Sequence, residues 1–149
     1  MNLVERLPPG LTGLEQLRKL VELGSRPPIG ETMDFTLVEA EDGFAVFESV
    51  PSLRMYNPIG SVHGGYAATL LDSACGCAVH SKLSPTQAYT TLELKTAYHK
   101  GITHETGRLR AEGRVLGFGR RAAFAEAKLV GVDGRLYASA TSTLLVMER

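Results

Sequence analysis

Apolar residues at Leu14, Leu17 and Leu20, with Val21 and Leu23 beside them, fall at helical spacing. The pattern predicts an amphipathic helix that stops at Gly24. The next segment, SRPPIG, is expected to be irregular, because Pro27 and Pro28 break regular structure. MDFTLVEA and FAVFESV alternate around Asp42-Gly43, which predicts a hairpin. After Gly64 and Gly65 comes YAATLLDSACGCAVHSKL, residues 66–83, apolar on almost every side. A helix of that kind is a buried one, and Ser84-Pro85 is expected to end it. From YTTLELKTAYH onward the period is two. GRLRAEGRVLGF sets Arg108, Arg110, Glu112 and Arg114 against Leu109, Ala111, Gly113 and Val115, one wet face and one dry face. RRAAFAEAKLVGV and RLYASATSTLLVM flank Asp133-Gly134, a second hairpin turn. Their alanines leave propensity ambiguous, but the period, lengths and turns favour strands.

The predicted order is a short helix, two strands, one long buried helix and at least three long antiparallel strands. A single sheet must wrap the apolar helix, since nothing else is available to cover it. The fold class is α+β, with residues 1–30 as a helical lead-in and 31–149 as the main domain. No linker is long enough to separate a second body, and there are no repeats.

Composition narrows the function. In 149 residues, 16 basic and 16 acidic side chains cancel. That argues against a protein whose main business is gripping nucleic acid by its phosphates. Two cysteines, Cys75 and Cys77, lie on different helix faces and are read as small packing residues in a reducing compartment. MNLVERLPPG lacks an apolar signal core, and no apolar run is long enough to span a membrane. The expectation is a soluble cytoplasmic protein without a membrane partner. There is no phosphate-binding loop or dinucleotide fingerprint, since the glycines of GRVLGFG lie between strands. His63, His80, His99 and His104 lack metal-ligand spacing. Neither cofactor nor metal is expected.

The candidate chemistry lies at 57–91. Asp72 is the only formal charge between Arg54 and Lys82. On a helix it faces Ala68, Thr69, Cys75 and Gly76, all small, which leaves room for something to enter. Burying an unpaired carboxylate is costly. The glycine pair opens the helix, where the first N–H groups lack internal partners and the dipole favours negative charge. Glycines let a ligand approach that backbone, so the site can hold a developing oxyanion, although the pair also suits a tight turn. Gly64 and Asp72 are roughly 12 Å apart along one helix. One carbonyl cannot touch both. If they act together, the glycines come from one subunit and the carboxylate from another.

These residues resemble the hotdog-fold acyl-CoA thioesterases, in particular the phenylacetate-pathway (PaaI-like) branch. The match is N-P-x-G-x-x-H-G-G-x-x-x-x-L-x-D at 57–72, then T-L-E-L at 91–94, with similar strand order over about residues 33–147. The resemblance implies a hotdog fold and hydrolysis of an acyl-CoA. Asp72 would be nucleophile or general base, and the Gly64 N–H would polarise the thioester carbonyl. Asn57 falls where the family places a polar side chain near the thioester or water. His63 looks like a hydrogen-bonding support, and Thr91, beside Thr90, falls where a hydroxyl helps hold the water. Gly65 and Tyr66 would contact substrate, with Tyr56 and Leu70 as further pocket candidates. Arg120 and Arg121, after GFG, lie where the family often has a Gly-Arg-Arg run near the nucleotide, and Lys100 is a weaker candidate for that end. The family also implies homodimers that often pair into homotetramers. The acyl group stays open among aryl-acetyl, benzoyl and medium-chain acyl groups. Two other readings stand beside this one: a hotdog dehydratase or hydratase, and a non-catalytic acyl-CoA-binding module.

Overall fold

A computed structural model describes residues 2–149; Met1, first residue of the expected lead-in, lies outside the described residues. Helix α1 spans Gly13–Glu22 and is opened by a capping box between Thr12 and Glu15. It packs on the body. The Gly13 N–H donates to the Leu83 carbonyl at 2.9 Å, and the Gln16 side-chain Oε1 meets His80 Nε2 at 2.8 Å. Gly13 touches the His80 backbone so closely that a Cβ there would collide with the carbonyl.

The segment expected to be irregular is instead a short helix, α2, Pro28–Thr32. Pro28 sits in its first turn, where the missing N–H costs nothing and the fixed φ suits a helix. Strands β1 (Phe35–Glu41) and β2 (Phe44–Ser49) form the expected hairpin, turned by Gly43 at φ +71°.

The long helix, α3, runs Gly64–His80. It takes in both glycines and ends before the expected limit at residue 83. Its last turn tightens, with Lys82 and Leu83 N–H groups donating three residues back, so the ladder closes before Pro85 matters. Leu70, Leu71, Ala74, Ala78 and Val79 are all buried at its core face.

Strands β3 (Gln87–Tyr98), β4 (Leu109–Phe118), β5 (Ala122–Gly131) and β6 (Leu136–Glu148) complete one sheet of order β1-β2-β4-β5-β6-β3. Every pair is antiparallel. The alanine-rich β5 is a strand: Ala123, Ala125 and Ala127 alternate inward and are buried. Small side chains let the sheet sit close to α3. At Gly113 the approach is closest, since a Cβ there would collide with the Ala74 carbonyl. The six-stranded sheet wrapped round one buried helix is the hotdog fold. Among the described residues no helix is long and apolar enough to cross a membrane. Strand β3 lies at one edge, paired only with β6, and carries exposed Leu92 and Tyr98.

Candidate active site

Strand β3 crosses the small-residue stripe of α3 and explains much of it. Tyr98 covers Gly64, Thr91 meets Asp72, and Tyr89 covers Gly76. A Cβ on Gly76 would stand 2.9 Å from the Tyr89 hydroxyl, and one on Gly64 would stand 2.9 Å from the Tyr98 ring. The space expected around Asp72 is therefore partly filled from within the chain. The tyrosines share a face although they stand nine positions apart, an odd step, because the register shifts between Thr91 and Glu93. The bulge resets the alternation.

Asp72 is half-buried and forms no ion pair among the described residues. Its one hydrogen bond comes from Thr91 Oγ1, 3.0 Å from Oδ1. Thr91, and not the exposed Thr90, is the hydroxyl at the carboxylate. Neighbouring thiols are inert. Burial, with Asp72 adding, pushes Cys75 up to about 12 and raises Cys77 likewise.

At the opening of α3 the two glycines differ. The Gly65 N–H donates to His63 Nδ1 at 2.8 Å, so His63 is the side-chain cap of the helix. An accepting Nδ1 carries no proton, which leaves the neutral ring's N–H at Nε2. The Gly64 N–H has no acceptor within the described residues. It is the free donor of the pair. The Tyr98 hydroxyl donates to the Gly64 carbonyl at 2.9 Å, a contact that sequence reasoning missed. The His63 N–H donates to the Met55 carbonyl at 2.7 Å and ties the preceding loop to the site.

Asn57 is engaged in its own turn. Its Oδ1 accepts from the Ile59 and Ser61 N–H groups, and its Nδ2 donates to Ser61 Oγ. Tyr66 is a core residue, 1% exposed, whose hydroxyl donates to Ser49 Oγ. Its ring and that of Tyr56 line an open cavity of about 520 Å³ beside His63 and Gly65. Leu70 is buried in the core and is not on that wall. A second cavity of about 290 Å³ lies on the other side of His63 and Gly64, walled by Tyr98 and Lys100. Arg120 and Arg121 are exposed at the β4–β5 tip. The register Ala123–Leu144–Thr91 across β5, β6 and β3 sets that tip at the Thr91 end of the sheet.

Within one chain, then, Asp72 joins Thr91, and Gly64 joins His63, Gly65 and Tyr98. The two groups stay apart along α3.

The family model described as the thioesterase superfamily matches residues 59–138, which span both groups. No curated protein matches the chain. Among solved structures, a thioesterase-family protein from Silicibacter pomeroyi is 26% identical with a TM-score of 0.79, covering 89% of this chain and 99% of that one. Another protein described as from the thioesterase superfamily is 32% identical with a TM-score of 0.72, covering 89% of this chain and 97% of that one. The E. coli PaaI protein from the phenylacetic acid degradation operon is similar in fold, with 18% identity, a TM-score of 0.78 and coverage of 91% and 94%. The helix that presents the free Gly64 N–H and Asp72, inside a sheet of this order, is the part the family model spans, and the chain belongs to the thioesterase superfamily.

Proposed function

We propose that the protein hydrolyses an acyl-CoA thioester to the free acid and coenzyme A, at a site shared between two subunits. Two features carry this reading: among the described residues the Gly64 N–H has no acceptor, and the Asp72 carboxylate holds a single hydrogen bond. Antiparallel association of two β3 edges runs the Thr91 end of one strand against the Tyr98 end of the other. Asp72 of one α3 is thereby brought toward Gly64 of its partner's helix. The exposed β3 edge supports such pairing, since a long unpaired edge invites another strand. Leu116 and Phe124, exposed on β4 and β5, support further pairing of dimers into a tetramer. Free Cys75 and Cys77 accord with the cytoplasm.

The chemistry asks for little. The Gly64 N–H hydrogen-bonds the thioester oxygen as negative charge develops there. Asp72 then acts in one of two ways. As general base it takes a proton from water while the water oxygen bonds to the carbonyl carbon. As nucleophile it forms an anhydride that water opens. In both, the C–S bond breaks and the thiolate leaves and is protonated. Thr91 fixes one carboxylate oxygen and leaves the other to act. His63 holds the Gly65 N–H and so keeps the helix opening in shape. Asn57 holds the turn before it. Arg120, Arg121 and Lys100 supply cations for the phosphates of coenzyme A. Gly65, Tyr56 and Tyr66 border the acyl group.

Thiol release from aryl, short, medium and long acyl-CoAs tests the reading. Wild type turns over at least one class, and Asp72→Asn, folded as before, loses about two to four orders of magnitude in kcat. Equal activity in both proteins contradicts it, as does the absence of release from every substrate.

A further inference from the structure

The large cavity has an uneven wall. Thr32, Tyr56, Tyr66 and Thr69 all border it, yet each hydroxyl is already engaged within the protein. Thr32 donates to the Pro28 carbonyl at 3.0 Å and Thr69 to the Gly65 carbonyl at 2.8 Å. The Tyr66 hydroxyl donates to Ser49, and the Tyr56 hydroxyl meets His104 Nδ1 at 2.8 Å while accepting from the His104 N–H at 3.1 Å. With those hydroxyls engaged, the wall is mainly apolar, and Met33 and Met55 belong to it. One side chain on the wall is formally charged. Arg54 is exposed and has no acidic partner among the described residues.

We propose that Arg54 selects acyl groups that carry a distal carboxylate. The inference rests on the acyl-CoA reading above and adds the acyl class. Arg54 precedes Met55, whose carbonyl accepts the His63 N–H, so the guanidinium and the Gly64 donor are linked through one short connection. The cavity is bordered by His63 and Gly65, the neighbours of Gly64 on either side, so an acyl chain that enters it from a carbonyl held at Gly64 would meet the wall that carries Arg54. A carboxylate there gains a bidentate, charge-assisted pair, whereas a methyl end leaves the guanidinium in water. A phosphate of coenzyme A is the other anion within the same substrate. It fits this wall less well, because a multiply charged group wants several cations and the cavity has one. The paired Arg120 and Arg121 stand at another place on the fold.

Adipoyl-CoA and hexanoyl-CoA have the same chain length and differ at the distal end. Binding of each is measured by calorimetry to Asp72→Asn, whose slowed turnover spares the ligand, and to the same protein carrying Arg54→Gln. Wild type and Arg54→Gln are assayed in parallel for thiol release. The expected result is about tenfold tighter binding of adipoyl-CoA, lost in Arg54→Gln with hexanoyl-CoA unaffected. Equal binding of the two overturns the proposal, and so does a preference that survives Arg54→Gln. Equal weakening of both by Arg54→Gln also overturns it and gives Arg54 to the phosphates. Failure of the hydrolysis reading looks different: adipoyl-CoA binds with the Arg54-dependent preference, yet wild type releases no thiol from either compound or from any acyl-CoA of the panel above. If neither compound binds, the distal-carboxylate proposal falls, and thiol release across the wider acyl-CoA panel decides the hydrolysis reading separately.

Discussion

The two ends of α3 are built from the same small residues and do opposite things with them. At the start, Gly64 has a backbone N–H with no acceptor among the described residues; it lines one open cavity, and its neighbours His63 and Gly65 line another. At the other end, Ala74 is pressed by Gly113 of β4, Gly76 is covered by Tyr89, and His80 is bonded to Gln16 of α1. A small side chain in a helix is therefore not evidence of a pocket. What stands opposite it decides. Rigid backbone from β4 and the ring of Tyr89 close the far end, while at the near end Gly64 faces the exposed ring of Tyr98. Asp72 sits where one condition passes into the other.

Paired substitutions break that comparison most strongly. Gly113→Ala drives a Cβ into the Ala74 carbonyl, where backbone on both sides cannot yield. It is expected to cost about 3 kcal/mol of stability, read from urea unfolding. Gly64→Ala meets only the ring of Tyr98, which is 57% exposed and can swing away. Stability should change by less than about 1 kcal/mol, while thiol release falls about a hundredfold through misplacement at the carbonyl. Equal stability losses in the two would end the contrast.

A smaller effect tests the closed end by pH. Burial, with Arg149 adding, holds the His80 imidazole down to about 4 from its usual 6.5. The unfolded chain takes up this proton near the ordinary value, and the folded chain resists it. The neutral ring's contribution is thus present above about pH 6.5 and is lost progressively as pH falls toward 4, up to roughly 3 kcal/mol. His80→Gln should flatten that part of the stability–pH curve. An unchanged slope in the variant would assign the acid sensitivity elsewhere.

The smallest effect lies at the open end. Tyr98→Phe keeps the ring over Gly64 and removes the hydrogen bond to its carbonyl. About a fivefold fall in kcat/KM is expected, the worth of one modest hydrogen bond in positioning. No change would leave the ring alone as the useful part of Tyr98.

Much of this was legible in the chain. The alternation of β4 and the alanine-rich β5 announced strands, because period is set by which face is buried and not by propensity. The charge pattern isolated Asp72, and the residues after it pointed to a buried helix. Other features were hidden for physical reasons. Pro28 reads as a breaker unless it is seen in the first turn of a helix, where it is at home. Tyr89 and Tyr98 have the wrong parity to share a face until the bulge beside Thr91 is known. Nothing in the spacing of His63 tells that its ring accepts from Gly65 and thereby separates the two glycines, one occupied and one free. Asn57 matches the motif, yet its amide closes a local turn, a role that only the fold around it assigns.

The shared site is the central claim, and subunit mixing tests it most directly. Asp72→Asn damages one half. Gly64→Pro with Tyr98→Ala damages the other: proline at the first helical position deletes the N–H, the extended His63 before it at ψ 134° suits a proline, and the alanine clears the space. Each variant alone should be inactive. After full exchange half of the dimers are mixed, and each carries one intact site, so the account predicts recovery of about a quarter of wild-type thiol release. Confirmed exchange with no recovery would contradict a site built from Gly64 of one subunit and Asp72 of the other.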